Sequence, residues 1–432
     1  MTLQLNDTLY FSSINFNGHT NKFLTEVYNS TSEGGKFAID LARRFNPNRF
    51  VSRNNSIWTL PWPQEIIPKY AMVDYDPTFN KSFNEVCELK AREYAKRIRD
   101  RNEKFAIMYS GGIDSTVIMV SLLRTLTNEE LKNVSVCTSV SAITENPYFW
   151  REHIFGRFNV IDSSTTKYHK LIKDGYTPVT ADDGDCIFGT VFGLSVYYNW
   201  EAIVEKSNMS SDSKTFVANN IHRFSDESVH YSKFKDLLIS YLNIPPNQKF
   251  PLVGQENPNP DFGRLLYDKF DLNCQTAGMP INSLHDFFWW LIFNVKMLNC
   301  GVRGALYYND DIEPHCAIYS VDNWYNDPLY QHWSMNNNNN GQKIIGGPAT
   351  YKKAARDFIY EFDKNHWYRS FKLKLESMVN NVTHQEVNET NKNRRPSSRF
   401  GITKNYDLLF IDDIDVQNYI KHHLGNYKIT WS

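Results

Sequence analysis

The chain has 432 residues and a formal charge of −1, with 41% hydrophobic and 15% aromatic residues. That is apolar material for a substantial core spread over two or three units. Near-neutral charge argues against a protein built mainly to hold duplex nucleic acid, although local basic patches stay open. No apolar run reaches the roughly 18 residues of a membrane span, the longest being the short aromatic stretch Phe287–Phe293. The first residues, MTLQLNDTLY, lack the basic and apolar regions of a secretory signal. Cys87, Cys137, Cys186, Cys274, Cys300 and Cys316 are scattered without a CxxC pair, which suits a reducing compartment and offers no zinc spacing. The expectation is a cytoplasmic protein with no membrane partner.

Residues 1–80 are polar, aromatic and irregular, with WTLPWP (Trp58–Pro63) as a rigid loop. From Phe83 to Asp100, Val86, Leu89, Tyr94 and Ile98 fall at helical spacing. A strand is predicted at Lys104–Tyr109, then a glycine turn, then a helix from Ser115 to Leu126. A strand at Val134–Val140 and a helical stretch over Pro147–Phe158 follow. Next come a strand at Asn159–Asp162, a polar helix near Lys167–Asp174 and a strand at Thr177–Thr180. Strands alternating with helices predict an α/β fold, a parallel twisted sheet with helices on both faces.

Residues 205–280, polar and proline-interrupted, read as an insertion. Ser283–Met297 is a strongly apolar core helix, and the run Asn336–Gly341 a flexible loop. The expected division is an irregular N-terminal unit at 1–102, a nucleotide-binding domain at 103–378, and a mobile linker with a small C-terminal unit at 379–432.

The stretch YSGGIDST, residues 109–116, closes a predicted strand and opens a helix. That is the design of a phosphate cradle. Gly111 and Gly112 permit positive φ and let backbone N–H groups approach an anion. The following helix adds the partial positive charge of its N-terminus. Ser110, Ser115 and Thr116 carry hydroxyl donors for phosphate oxygens. Asp114 would repel phosphate, so its expected role is to hold Mg²⁺. The loop has no lysine and is not a GxxxxGK[ST] P-loop. The plain alternative is an ordinary glycine turn.

SGGIDS resembles the signature of the PP-loop ATP pyrophosphatases, which cleave ATP between the α- and β-phosphates and activate substrates by adenylation. A second stretch, TADDGDCIFG (Thr180–Gly189), resembles the Gly-Glu-Gly-x-Asp-Glu-x-Phe-Gly segment of the asparagine synthetase family. On that overlay Asp182 takes the glutamate position and Asp185 the magnesium-binding aspartate, with Phe188 and Gly189 matching the tail. Asp183 replaces a glycine and Cys186 the second acid. Independently of the overlay, three carboxylates within four residues at the edge of a parallel sheet would repel one another without a cation. An acidic surface loop is the alternative. A third stretch, AIYSVDNWYNDPLYQHW followed by GGPATYKKAARDF, resembles the synthetase segment in which Pro-Phe-x-Asp precedes a Lys-x-x-x-Arg helix. There Asp322 takes the aspartate, and Lys352 and Arg356 the catalytic cations. Lys353 is the alternative if the register slips. Val140, at the end of the second predicted strand, joins the nucleotide contacts, and Asp286 is a structural or substrate contact.

The resemblance implies an adenine nucleotide alpha hydrolase-like fold with ATP and Mg²⁺ as cofactors. It also implies an ATP-dependent, AMP-forming ligase that joins a small-molecule carboxylate to an amine. Glutamine-using members begin Met-Cys, whereas residue 2 here is Thr2, so no glutaminase activity is expected. The amine would come from free ammonia, a co-substrate or a separate donor protein. KNRRPSSR (Lys392–Arg399) is a basic tract that reads as a solvated loop, a nucleotide clamp or a lid. Two other functions stay open. One is a PP-loop enzyme adenylating a nucleobase or nucleic acid, disfavoured by the lack of paired cysteines. The other is a non-catalytic nucleotide-binding relative.

Overall fold

The computed structural model describes residues 71–163, 166, 168–188, 191–243, 262–297, 319–337 and 352–370, together with the backbone of two N-terminal strands. These strands, β1 (Thr2–Leu5) and β2 (Thr8–Phe11), form an antiparallel pair. The WTLPWP loop, the basic tract and everything from residue 371 onward lie outside the described residues, as do Cys300 and Cys316.

Two compact units divide the chain: Met1–Tyr75 with Gly189–Tyr307, and Asp76–Phe188 with Tyr308–Ser432. The second holds a five-stranded parallel sheet in the order β5-β4-β3-β6-β7. Its strands are β3 (Lys104–Met108), β4 (Val134–Thr138), β5 (Asn159–Asp162), β6 (Tyr176–Thr180) and β7 (Asp322–Asn323). The chain adds β4 and β5 on one side of β3, then returns to place β6 and β7 on the other. The C-terminal ends of β3 and β6 therefore flank the point where strand order reverses, which in open α/β sheets is where ligands bind. Apart from the exposed Lys104, β3 is buried, and β4 is buried throughout, as expected of strands covered on both faces.

Helix α1 (Phe83–Arg101) opens with a capping box in which Ser82 and Glu85 satisfy each other's backbone N–H groups. It packs on α2 (Ile113–Thr125), the helix after the glycine turn. The sheet unit accordingly takes in α1, whose apolar face is buried.

Two expected edges move for local reasons. The second strand stops at Thr138, because Ser139 caps a short helix, α3 (Val140–Glu145), by accepting from the Ala142 amide. Val140 is thus the first residue of that helix. The helix after the glycine turn starts two residues early, at Ile113, with Gly112 extended as its cap. After β6 a short helix, α4 (Gly184–Phe188), carries the acidic stretch. Residues Pro328–Asn337 form a helix that includes the first two asparagines of the expected loop. Helices α5 (Lys353–Asp363) and α6 (His366–Ser370) complete the unit as described.

The other unit is helical over much of the stretch expected to be an insertion, with helices Ser211–Asn220, Lys235–Asn243 and Phe262–Gln275. The apolar helix Leu284–Leu291 is its core, continued by a π-helical turn, Ile292–Lys296. Trp290 donates its indole N–H to Asn273 Oδ1 at 2.7 Å, so a fully buried indole keeps its hydrogen bond. Among the described residues no helix is long and apolar enough to cross a membrane.

Candidate nucleotide and cation site

The glycine loop stands at the C-terminal end of β3. Gly111 has φ +69°, and a Cβ there would lie 2.1 Å from the Ala142 carbonyl oxygen and 2.8 Å from Glu145 Cβ. Only glycine meets both demands, conformation and space. Helix α3 therefore presses on the loop through its backbone. The hydroxyls mostly bind the loop itself. Ser115 Oγ donates to the Gly112 carbonyl at 3.1 Å and accepts from the Ser110 amide at 3.1 Å. Thr116 Oγ1 donates to the same carbonyl at 2.9 Å. Both side chains are buried, so they shape the loop, and Ser110, half-buried, is the hydroxyl nearest solvent.

The second and third motifs arrive from distant parts of the chain and meet Asp114. Lys352 Nζ donates to both Asp114 oxygens, at 2.7 and 2.5 Å, and to Asp185 Oδ1 at 2.7 Å. The lysine side chain is 4% exposed, whereas those of Asp114 and Asp185 are 22% and 37% exposed. Burial alone would lower the Lys352 pKa. The two carboxylates outweigh it, so the ammonium is held above the ordinary lysine value. Its Nζ also lies 5.6 Å from the centroid of the Phe188 ring. Lys352 sits just before α5 with left-handed backbone angles, φ 54° and ψ 39°, a conformation costing an L-residue about 1–2 kcal/mol. Lys353, the alternative cation, pairs with Asp357 instead.

Asp182 is partly exposed at the turn after β6, its amide donating to Thr180 Oγ1 at 3.2 Å. Asp183 is fully buried, so the stretch is not simply an acidic surface loop. Arg356 is buried and donates to the Arg369 carbonyl at 2.6 Å, which ties α5 to α6. Asp322 does not join the site. Its carboxylate accepts from Arg97 Nη1 at 2.5 Å and from the Tyr94 hydroxyl at 3.2 Å. Asp286 is the N3 residue of a capping box with Ser283, which leaves it a structural role.

Three site residues escape motif reading. Tyr325 donates its hydroxyl to the Asp114 carbonyl at 2.8 Å. Tyr368 donates to the Gly111 carbonyl at 2.9 Å and sits 3.3 Å from Thr116 Oγ1. Burial pushes both phenols well above the ordinary tyrosine value, with nearby Asp114 adding for Tyr325 and Tyr109 for Tyr368. They stay protonated donors across any working pH. Gly184 is the third. A Cβ there would fall 2.5 Å from Asp114 Cγ, so the missing side chain lets the two motifs touch. The signal was a glycine among aspartates at a strand–helix turn.

Two carboxylates that converge on one cationic nitrogen are a donor pair for a single divalent ion. Among the described residues no cluster of three or more His, Cys, Asp or Glu could hold a metal. Mg²⁺ does not need one, since it usually takes one or two carboxylates and completes its shell with water and substrate phosphates. The residues present therefore fit Mg²⁺ delivered with a polyphosphate. Comparison with protein-family models, with curated proteins and with solved structures finds no significant match.

Proposed function

We propose that this site binds Mg²⁺-ATP and that the protein is an AMP-forming amide ligase of asparagine synthetase type, on an adenine nucleotide alpha hydrolase-like fold. The observation that carries the reading is the convergence of three segments, residues 110–116, 182–185 and 352, on one point at the sheet's switch edge. Chance placement of unrelated motifs gives no reason for such a meeting.

On this reading Gly111, Gly112 and the amides opening α2 receive phosphate oxygens, with Ser110 donating its hydroxyl. Asp114 and Asp185 hold Mg²⁺, which when bound neutralises phosphate charge and polarises the phosphoryl oxygens. The substrate carboxylate attacks the α-phosphorus, and the α–β bridging bond breaks with its electron pair going to pyrophosphate. Lys352 stabilises that departing charge. An amine then attacks the acyl-adenylate carbonyl, AMP leaves and the amine's proton is released. No side chain is acylated, so positioning and electrostatics carry the first step.

The test is ATP–pyrophosphate exchange with Mg²⁺ over a panel of carboxylates, aspartate included, with Asp185→Asn alongside. Exchange that requires one carboxylate and falls at least about a hundredfold in the variant is the expected result. AMP release with nucleosides or RNA but no acid would favour base modification. Nucleotide binding with no exchange or AMP release throughout would mean a non-catalytic role.

A further inference from the structure

Asp114 and Asp185 are the pair assigned to the metal, yet the structure places the Lys352 ammonium between them, bonded to three of their four oxygens. An ammonium and a divalent ion cannot share that position. The lysine is the most buried of the three, while the acids keep faces toward water. Its backbone is strained at this residue, so the protein holds the cation there against a local cost.

We propose that Lys352 is the built-in counter-ion of the Asp114–Asp185 pair and keeps the divalent position closed until a polyphosphate arrives. The polyphosphate brings the metal and also gives the displaced ammonium a new anionic partner. This rests on the nucleotide-binding reading above and adds an order of events to it. Free metal is refused, and metal and polyphosphate enter together. A metal entering first would have to push the buried ammonium off both acids with no phosphate present to receive it, which is unfavourable.

The experiment uses Mn²⁺ as the probe, followed by electron paramagnetic resonance and calorimetry on the full chain with and without ATP. The wild type should bind one Mn²⁺ with ATP, in a manner lost in Asp185→Asn, and hold none tightly without nucleotide. Lys352→Met should bind Mn²⁺ alone at least about tenfold more tightly than wild type, and lose that gain when Asp185→Asn is added. Lys352→Gln serves the same purpose should the methionine variant fail to fold. The wild type also decides by itself, because nucleotide-free Mn²⁺ binding as tight as that with ATP overturns the proposal. So does a variant that gains nothing while the wild type still shows Asp185-dependent binding with ATP. Absence of any Asp185-dependent Mn²⁺ signal, even with ATP, overturns the metal-site reading beneath it.

Discussion

Among the places in the sheet unit that set one cation between two carboxylates, those of Arg97 and Lys352 are built differently. Arg97 lies within the regular helix α1 and forks to Glu103 Oε1 and Asp322 Oδ2, each at 2.5 Å. Each acid has a second donor, Thr177 for Glu103 and Tyr94 for Asp322. All three charged side chains are about equally exposed, at 20 to 23%. Lys352 instead reaches its acids from a strained backbone, is nearly buried, and leaves Asp185 more than a third exposed. The arginine bridge is a strut, with its planar fork matched to fixed partners. The lysine bridge is a point charge on a flexible stem, placed where Asp185 faces outward, and so exchangeable. A carboxylate outside both bridges shows what a cation spares: Asp363 Oδ2 is buried with no hydrogen-bond partner among the described residues, and burial pushes its pKa up to about 6.

The largest expected effect is on the glycine loop that carries Asp114. Gly111→Ala forces a Cβ to 2.1 Å from a backbone oxygen at positive φ. It should cost upwards of about 4 kcal/mol or prevent folding of the unit, as read by thermal and urea unfolding. Next is Arg97→Met, which leaves Glu103 and Asp322 facing each other without a cation and should cost about 3 kcal/mol. The same variant has a pH signature. Arg97 is the first cause of the lowered Glu103 pKa, opposed by burial. The folded value therefore lies below the unfolded one. The resulting stability is fully present above about pH 4.5 and is lost as pH falls through the folded value. Arg97→Met should flatten that acid limb.

Asp363→Asn should act with the opposite sign. The folded pKa is raised, so the wild type loses stability as pH rises from about 4 to about 6. The variant should gain about 2 kcal/mol at pH 7 and nothing below pH 4. Lys352→Met should have the smallest effect on stability, about 1 kcal/mol, because it also removes the cost of burying an ammonium and water can reach Asp185. A loss as large as that of Arg97→Met would mean the lysine bridge is a strut too.

The sheet and both motif loops were legible in the chain because each rests on local chemistry: apolar strands, glycines and acids at fixed spacing. What was not legible depends on contacts across long separations. Asp322 has an acid's sequence but an arginine's company, and only the packing of α1 on the sheet shows it. Tyr325 and Tyr368 look like ordinary core aromatics, and their hydroxyls acquire meaning once Asp114 and Gly111 are beside them. Lys352 was anticipated as a cation. Its strained backbone and its place between the two acids arise from tertiary constraint, which no residue pattern encodes. In residues 205–280 the polar residues and prolines gave no sign of the helices Ser211–Asn220 and Lys235–Asn243.

The most direct measurement is calorimetric titration of a non-hydrolysable ATP analogue with Mg²⁺ into wild type, Asp114→Asn and Asp322→Asn. Loss of at least about tenfold in affinity, roughly 1.4 kcal/mol, in Asp114→Asn alone is the predicted result. Equal binding by wild type and Asp114→Asn, or an equal loss in Asp322→Asn, would contradict the assignment of the lysine-bridged acids to the nucleotide.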